Sequence, residues 1–188
     1  MPRIMLVDDE VNILKALRRL LVATPCTYDG MVFKLQVESF SAPEEALARA
    51  EDTAFDLVLS DYRMPGMDGV QFLSAFREIQ PEAARLILSG YADLNALMGA
   101  INQAQIYRFL SKPWNDYELV SSIAQALAYR HLLQENQRLA DQVRVARGAM
   151  TAEELERKRL ELESPGITQV NWGPDGSVIL DPDFFGKD

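Results

Sequence analysis

The chain alternates short, almost purely apolar runs with longer segments that show helical periodicity. An apolar run of about four to eight residues is typical of a strand buried on both faces of a sheet. Such strands, separated by helices, form parallel sheets with helices on both sides. The runs that we interpret as strands are Arg3–Val7, Phe33–Phe40, Phe55–Ser60, Arg85–Ser89 and Ile106–Ser111. The sequence therefore predicts an α/β fold with a doubly wound, five-stranded parallel sheet.

The segments between these runs favour helices, with one exception. After Glu10, apolar residues follow at helical spacing: Val11, Leu14, Leu17, Leu20 and Leu21. Ser41 and Glu44 match a capping box, which predicts a helix that begins there, and "DLNALMGAINQA" predicts another from Asp93. The exception is the stretch from Thr24 to Val32, which we interpret as a surface loop.

Polar side chains stand where the predicted strands end. Asp8 and Asp9 follow the first strand, Asp61 the third, Ser89 ends the fourth, and Lys112 follows the fifth. In open parallel sheets, ligands bind outside the carboxyl ends of the strands. We therefore expect these side chains to form one polar site.

This set of residues suits phosphoryl chemistry. Clustered carboxylates repel one another unless a cation intervenes, and oxygen ligands without histidine or thiolate favour Mg²⁺. A carboxylate can itself be the nucleophile, and Asp61 is the best candidate because it ends the central strand. Taken singly, Asp61 is typical of a turn residue and Asp8-Asp9 of a helix cap, so the interpretation depends on the joint pattern.

The motifs Asp8-Asp9, "SDYRMPGMDG", Ser89-Gly90 and "FLSKPW" resemble the chemotaxis-Y-like receiver domain of two-component response regulators. The resemblance extends from Arg3 to about Tyr129 and implies a flavodoxin-like strand order of 2-1-3-4-5. It also implies a cis bond before Pro113. Gly69, within the second motif, suits a backbone position with an unusual φ.

The resemblance implies a role for each site residue. Asp61 would accept a phosphoryl group from a histidine kinase or phosphotransfer protein, and Lys112 and Ser89 would contact that group. Asp8, Asp9, Asp61 and the main-chain carbonyl of Arg63 would hold Mg²⁺. Ser89 and Phe109 would form the switch, although Phe109 could equally be a core residue and Tyr107 could share its role.

Three parts are predicted: a receiver over 1–128, a helical extension over 129–163 and a tail over 164–188. Heptad positions in the extension are occupied by Leu132, Asn136, Leu139, Val143, Ala146 and Met150. This pattern predicts a coiled-coil homodimer through 129–150, with a break near Gly148 and a new capping box at Thr151–Glu154. In the tail, "ITQVNW" and "SVIL" around "GPDG" indicate a possible β-hairpin.

Composition excludes several other classes of function. The net charge of −9 argues against direct nucleic-acid binding. The single cysteine excludes an internal disulfide, and the single histidine argues against a multi-histidine metal site. No apolar run is long enough to cross a membrane, and acids come too early for a signal peptide. We therefore expect a cytoplasmic protein.

The expected function is that of a signalling module, not an enzyme, that receives and slowly hydrolyses its own phosphoryl group. It would act through protein contacts with an output partner that the sequence does not identify. Two alternatives remain. The chain could be the N-terminal receiver of a larger output enzyme, such as a cyclic-di-nucleotide phosphodiesterase. It could also be an Mg²⁺-dependent phosphohydrolase with an aspartate nucleophile.

Overall fold

The computed structural model describes residues 1–90 and 104–163. The helix predicted from Asp93 and the possible hairpin of the tail lie outside the described residues, except for Ala104. The elements are β1 (Arg3–Val7), α1 (Val11–Ala23), β2 (Cys26–Tyr28), β3 (Met31–Phe33), β4 (Gln36–Phe40), α2 (Pro43–Asp52), β5 (Leu57–Asp61), α3 (Gly69–Ile79), β6 (Ala84–Gly90), β7 (Arg108–Lys112), α4 (Asp116–Ala146) and α5 (Ala152–Glu163).

The main sheet has five parallel strands in the order β4-β1-β5-β6-β7. Numbered along the chain without the small hairpin, this is the predicted order 2-1-3-4-5, and it confirms the fold class. All five residues of β5 are buried. Leu57 and Leu59 face a core cluster that includes α1 and α4, whereas Val58 faces a second cluster that includes α2 and α3. The strand is apolar throughout because both of its faces are covered.

The helices differ from the sequence predictions at their ends. In α1, Leu14, Leu17 and Leu21 are buried, but Val11 at the first position is exposed. The predicted capping box at Ser41 is wrong. Helix α2 has Ala42 as its N-cap, without a side-chain cap, and Pro43 in its first turn. Proline suits the start of a helix because the N–H it lacks would have no partner there.

The predicted surface loop over Thr24–Val32 is wrong, because β2 and β3 form an antiparallel hairpin there. Asp29 and Gly30 form its turn with φ values of 48° and 78°. Two consecutive positive φ values are what a two-residue type I′ turn needs, and Asp-Gly is a preferred pair for it. The hairpin places Cys26 in the core cluster beside α1, where the residue is 2% exposed.

Cys26 is expected to resist thiol reagents in the folded protein. Burial raises the pKa of its thiol to about 11, from the model-compound value of 9.0. At pH 8 this lowers the thiolate fraction about 100-fold, and the thiolate is the reactive form. Labelling with a thiol reagent should therefore be at least that much slower for the native protein than for the same protein in denaturant. Equal rates under the two conditions would contradict the buried hairpin.

Helix α4 begins in the domain and continues beyond it. Its first half buries the predicted core residues, Leu119, Val120, Ile123 and Leu127. It ends at Ala146, Gly148 follows with φ +68°, and Thr151 caps α5 through reciprocal bonds with Glu154. The break and the second helix occur where the sequence predicts them. Within the described residues, no helix combines the length and the apolar character needed to span a bilayer.

Candidate functional site

The carboxyl ends of the parallel strands bring the predicted polar residues to one edge of the sheet. Asp61 is the last residue of β5, which lies between β1 and β6, and Asp8 directly follows β1. Ser89 and Lys112 lie near the ends of the paired strands β6 and β7. Asp8, Asp61 and Ser89 are all buried. The register of the sheet thus assembles residues that are up to 104 positions apart in the chain.

Lys112 bridges the two buried carboxylates. Its Nζ lies 2.6 Å from Oδ1 of Asp61 and 2.8 Å from Oδ2 of Asp8. The second oxygen of Asp61 accepts a hydrogen bond of 2.8 Å from the backbone N–H of Arg63. Oδ1 of Asp8 accepts one of 2.9 Å from the backbone N–H of Glu10. Both carboxylates are therefore held in fixed orientations, with hydrogen-bond capacity remaining on their oxygens.

The site carries more negative than positive charge. Burial raises the pKa of Asp8, and the neighbouring charge of Asp61 adds to this, against the lowering effect of Lys112 and the Glu10 N–H. Burial alone would lower the pKa of Lys112, but its hydrogen bonds to Asp61 and Asp8 overcome that effect and hold the pKa above its usual value. One ammonium group thus compensates two carboxylates, which leaves an environment that favours a further cation.

The turn after Asp61 brings α3 very close to the site. A Cβ on Gly69 would lie 2.1 Å from the backbone oxygen of Asp61, so only glycine fits there. The expectation of an unusual φ at Gly69 is wrong, because the positive φ of this turn is found at Gly66. Asp68 caps α3 with a capping box to Gln71. This cap was missed in the sequence, although Asp-x-x-Gln before an apolar run is a recognisable signal.

Asp9 lies apart from the Lys112 cluster. Its side chain is exposed and lines an open cleft of about 500 Å³, together with Arg63 and Asp68. Tyr62, Met64 and Pro65 also line this cleft, and they were not singled out from the sequence. In residues 1–90 and 104–163, no three acidic, histidine or cysteine side chains are grouped as a metal site. The cleft nevertheless lies between Asp9 and the Arg63 loop, and its lining residues Tyr62 and Arg63 directly follow Asp61 in the chain.

The two residues assigned to the switch differ in their surroundings. Ser89 is buried, and its Oγ is 3.4 Å from the carbonyl oxygen of Gly90. Phe109 is half-buried and packs on the core cluster beside α2 and α3. Tyr107 instead pairs with Tyr129 of α4, with ring centroids 5.6 Å apart. The bond before Pro113 is cis, as the resemblance implies.

This fold and this site define a class: a doubly wound α/β domain with acids and a lysine at the carboxyl edge of its sheet. The family model of the response regulator receiver domain matches residues 4–124. The chain therefore belongs to the response regulator receiver domain family, and the resemblance seen in the sequence is confirmed.

Sequence similarity to known proteins supports membership of this family. The hydrogenase transcriptional regulatory protein HoxA of Cupriavidus necator is 34% identical over 143 residues, which cover 76% of this chain and 28% of HoxA. The C4-dicarboxylate transport transcriptional regulatory protein DctD of Rhizobium meliloti is 32% identical over 138 residues, which cover 73% of this chain and 28% of DctD. The match thus spans little more than a quarter of these relatives.

A solved structure gives the same result. The signal receiver domain of an HD domain-containing protein from Pseudomonas fluorescens Pf-5 aligns with a TM-score of 0.63 and 35% identity, covering 71% of this chain and 92% of that one. These findings support the receiver function. They do not favour the alternatives of a larger output enzyme or a phosphohydrolase.

Proposed function

We propose that the chain is a phosphorylation-controlled receiver in which Asp61 accepts a phosphoryl group from a histidine kinase or phosphotransfer protein. The observation that carries the proposal is the Lys112 ammonium 2.6 Å from Asp61, in a buried pocket at the strand ends. A carboxylate held beside a fixed cation is arranged for attack on a phosphoryl group, whose negative charge that cation compensates.

The reaction transfers the group without a change in oxidation state. An oxygen of Asp61 forms a bond to phosphorus while the bond from phosphorus to the donor breaks, and the donor leaves with that electron pair. Arg63 N–H holds one oxygen of Asp61 and so orients the other. Lys112 stabilises the charge of the transferred oxygens. Hydrolysis of the acyl phosphate by water releases inorganic phosphate and returns Asp61 to its starting state.

Mg²⁺ is the proposed cofactor, because the site fits it. The candidate ligands are all oxygens, and the two buried carboxylates exceed the single charge of Lys112. Asp8, Asp9, Asp61 and the carbonyl of Arg63 would hold the ion. It would supply neutralising charge for the incoming phosphoryl group.

The signal is proposed to leave the site through Ser89 and Phe109. Ser89 is buried at the end of β6, and its hydroxyl can donate a hydrogen bond to a phosphoryl oxygen once one is present. Phe109 lies two residues before Ser111, the β7 partner of Ser89. Movement at Ser89 can therefore be transmitted along β7 to a half-buried ring at the surface. An output partner would read that change through protein contacts, in the cytoplasm.

The experiment that tests this function is incubation of the protein with acetyl phosphate, with and without Mg²⁺, followed by intact-mass measurement. One added phosphoryl group is expected with Mg²⁺, and little or none when the metal is chelated. A chain that remains unlabelled under both conditions would contradict the proposal.

Self-association through 129–150 is proposed as part of this function. Leu132, Leu139 and Val143 are all exposed on one side of α4. Asp141, which α5 covers, lies on the opposite side of the helix. The apolar side thus remains available after α5 has packed, which favours a parallel dimer with Asn136 paired to its twin.

Replacing Leu132 and Leu139 together by Ser is expected to shift the protein toward monomer, because two apolar layers of the seam are lost. Light scattering at matched concentrations measures the change. Asn136→Leu should keep or strengthen association while loosening control of oligomer number, since the buried polar pair sets the number of strands. Undiminished dimerisation of the double variant would assign the contact to another surface.

A further inference from the structure

The coiled-coil seam proposed on α4 is short at its far end. From Leu132 to Ala146, the last residue of α4, it spans about 21 Å. Gly148 follows with a positive φ of 68°. The 2.7 Å ion pair between Lys158 and Asp141 requires α5 to turn back beside α4, since one straight helix would separate these residues by about 25 Å. A coiled coil is normally sustained over three or more heptads. Further length must therefore come from the receiver end of α4.

The heptad pattern continues onto the receiver at Tyr129. This residue lies one heptad before Asn136 and two before Val143, so the three occupy equivalent positions along α4. Tyr129 is 50% exposed, much like the seam residue Leu132. Ser122, one heptad farther back, is fully buried in the receiver. Tyr129 is therefore the first of these positions that a second copy of the chain can reach.

Tyr129 belongs to an aromatic pair on the receiver surface. Its ring centroid lies 5.6 Å from that of Tyr107, and the two ring planes are tilted by 34°. Tyr107 directly precedes β7, and its backbone N–H donates to the carbonyl oxygen of Arg85 in β6 at 2.7 Å. The pair thus connects the outer face of α4 to the sheet. It also presents ring surface that a second aromatic pair can cover.

Polar contacts beside Tyr129 hold α4 to the opposite end of the sheet from Asp61. The neighbouring Arg130 forms an ion pair with Asp56, and its Nε donates to the carbonyl oxygen of Glu82 at 3.0 Å. The other carboxylate oxygen of Asp56 accepts a 2.7 Å bond from the backbone N–H of the first residue of β1. Charge-assisted bonds of this kind fix geometry strongly. A contact made by Tyr129 therefore also positions the receiver to which α4 is bound.

The residues that flank this end of the seam suit a second copy. In a parallel coiled coil, the positions next to the seam face the other helix, and like charges there oppose association. Around Tyr129 and Leu132 these positions are occupied by Ala128 and Leu133, which are uncharged. Leu133 is 46% exposed and adds apolar surface. Two chains with a net charge of −9 each can thus approach here without opposing charges at the contact.

We propose that the dimer seam begins on the receiver itself, with Tyr129 of two copies paired across the two-fold axis and Tyr107 behind each ring. The inference rests on the self-association proposed above and deepens it, because the receiver body joins the interface. In a two-fold dimer, a residue close to the axis meets its own counterpart, so one exposed ring covers another. The added layer lengthens the seam to about 26 Å. The two receivers are then held in one relative orientation.

Cysteine cross-linking of the full chain tests this pairing. Tyr129→Cys is expected to form an interchain disulfide under mild oxidation, because the paired positions lie within reach of that bond. Cys26 is 2% exposed and does not compete. The reaction should be at least about tenfold faster than for His131→Cys, an exposed position on the outer side of α4, since pairing raises the effective concentration of the two thiols. Non-reducing gel electrophoresis measures both rates.

Asn136→Cys distinguishes this inference from the proposed dimer. Position 136 lies in the seam whether or not the seam reaches the receiver. Rapid cross-linking at both 129 and 136 supports the inference. Rapid cross-linking at 136 with only the His131→Cys rate at 129 would overturn it and leave the coiled coil standing. If neither position reacts faster than His131→Cys, the parallel dimer fails and the inference fails with it.

Tyr129→Ser tests whether the ring contributes to association. Loss of this layer from both chains is expected to raise the dimer dissociation constant at least about tenfold, as for a buried aromatic residue at the centre of an interface. Sedimentation over a dilution series measures it. Tyr117→Ser is the matched control, because Tyr117 lies on the same helix, is 83% exposed and falls outside the heptad seam. A dissociation constant that Tyr129→Ser changes no more than Tyr117→Ser does would overturn the inference.

Discussion

Asp61→Asn is expected to abolish phosphoryl uptake. The asparagine amide is not a nucleophile, so no acyl phosphate can form at this position. Intact-mass measurement after incubation with acetyl phosphate and Mg²⁺ should show one added phosphoryl group on the unmodified protein and none on the variant. The expected effect is complete loss, because Asp61 is the proposed acceptor: it ends the central strand, with Lys112 on one of its oxygens and Arg63 N–H on the other.

The variant should remain folded, which keeps the result interpretable. The amide oxygen of asparagine can still accept from Arg63 N–H or from Lys112. Asp68→Asn is the matched control. Asp68 lines the same cleft, and its cap on α3 tolerates asparagine. This control should be phosphorylated like the unmodified protein. Equal labelling of Asp61→Asn and the unmodified chain would reject Asp61 as the acceptor.

Gly69→Ala is expected to destabilise the domain by about 3 kcal/mol, which corresponds to a fall in Tm of roughly 10 °C. The added methyl group would lie 2.1 Å from the Asp61 oxygen and 2.9 Å from Cα of Tyr62. Both neighbours are backbone atoms, so no side-chain rotation relieves the clash. Either α3 or the end of β5 must move, and phosphoryl uptake should fall because Asp61 moves with it. Thermal unfolding measured by circular dichroism checks the stability change.

Gly148→Ala provides the comparison. Gly148 has a positive φ of 68°, but a Cβ there would meet nothing within 4 Å. Alanine should therefore cost about 1 kcal/mol from backbone strain alone and leave phosphoryl uptake unchanged. If Gly69→Ala unfolds at the same temperature as Gly148→Ala, the close approach of α3 to Asp61 is wrong.

Most of the sheet and the residues of its carboxyl edge could be predicted from the sequence. Strands such as β5 are buried on both faces, and this requires the apolar run that makes them recognisable. The carboxyl ends of parallel strands lie at one edge of the sheet. The positions of Asp8, Asp61 and Lys112 at the ends of the apolar runs therefore predicted that these residues lie close together. The helix break at Gly148 and the helix cap at Thr151 could also be predicted, because both depend on residues close together in the sequence.

Other local signals were present and misjudged. Asp29-Gly30 is a strong hairpin turn, but the stretch around it was interpreted as a surface loop because it makes the first helix–strand connection longer than the usual few residues. Ser41 matches a capping box but caps nothing, since the chain places Pro43 in the first turn and Ala42 at the cap. At such positions several local conformations are close in free energy, and packing of the adjacent chain selects among them.

The sequence by itself determined which residues are apolar, how the strands and helices alternate, and which polar residues end the strands. Only the tertiary structure decided that Lys112 bridges Asp8 and Asp61, that Gly69 lies against the Asp61 backbone, and that the β2–β3 hairpin buries Cys26. Periodicity and caps depend on residues within about one helical turn or one strand of each other. They can therefore be recognised from the order of residues in the sequence. Contacts between residues far apart in the chain depend on how the finished elements pack, and that packing is set by the whole core at once.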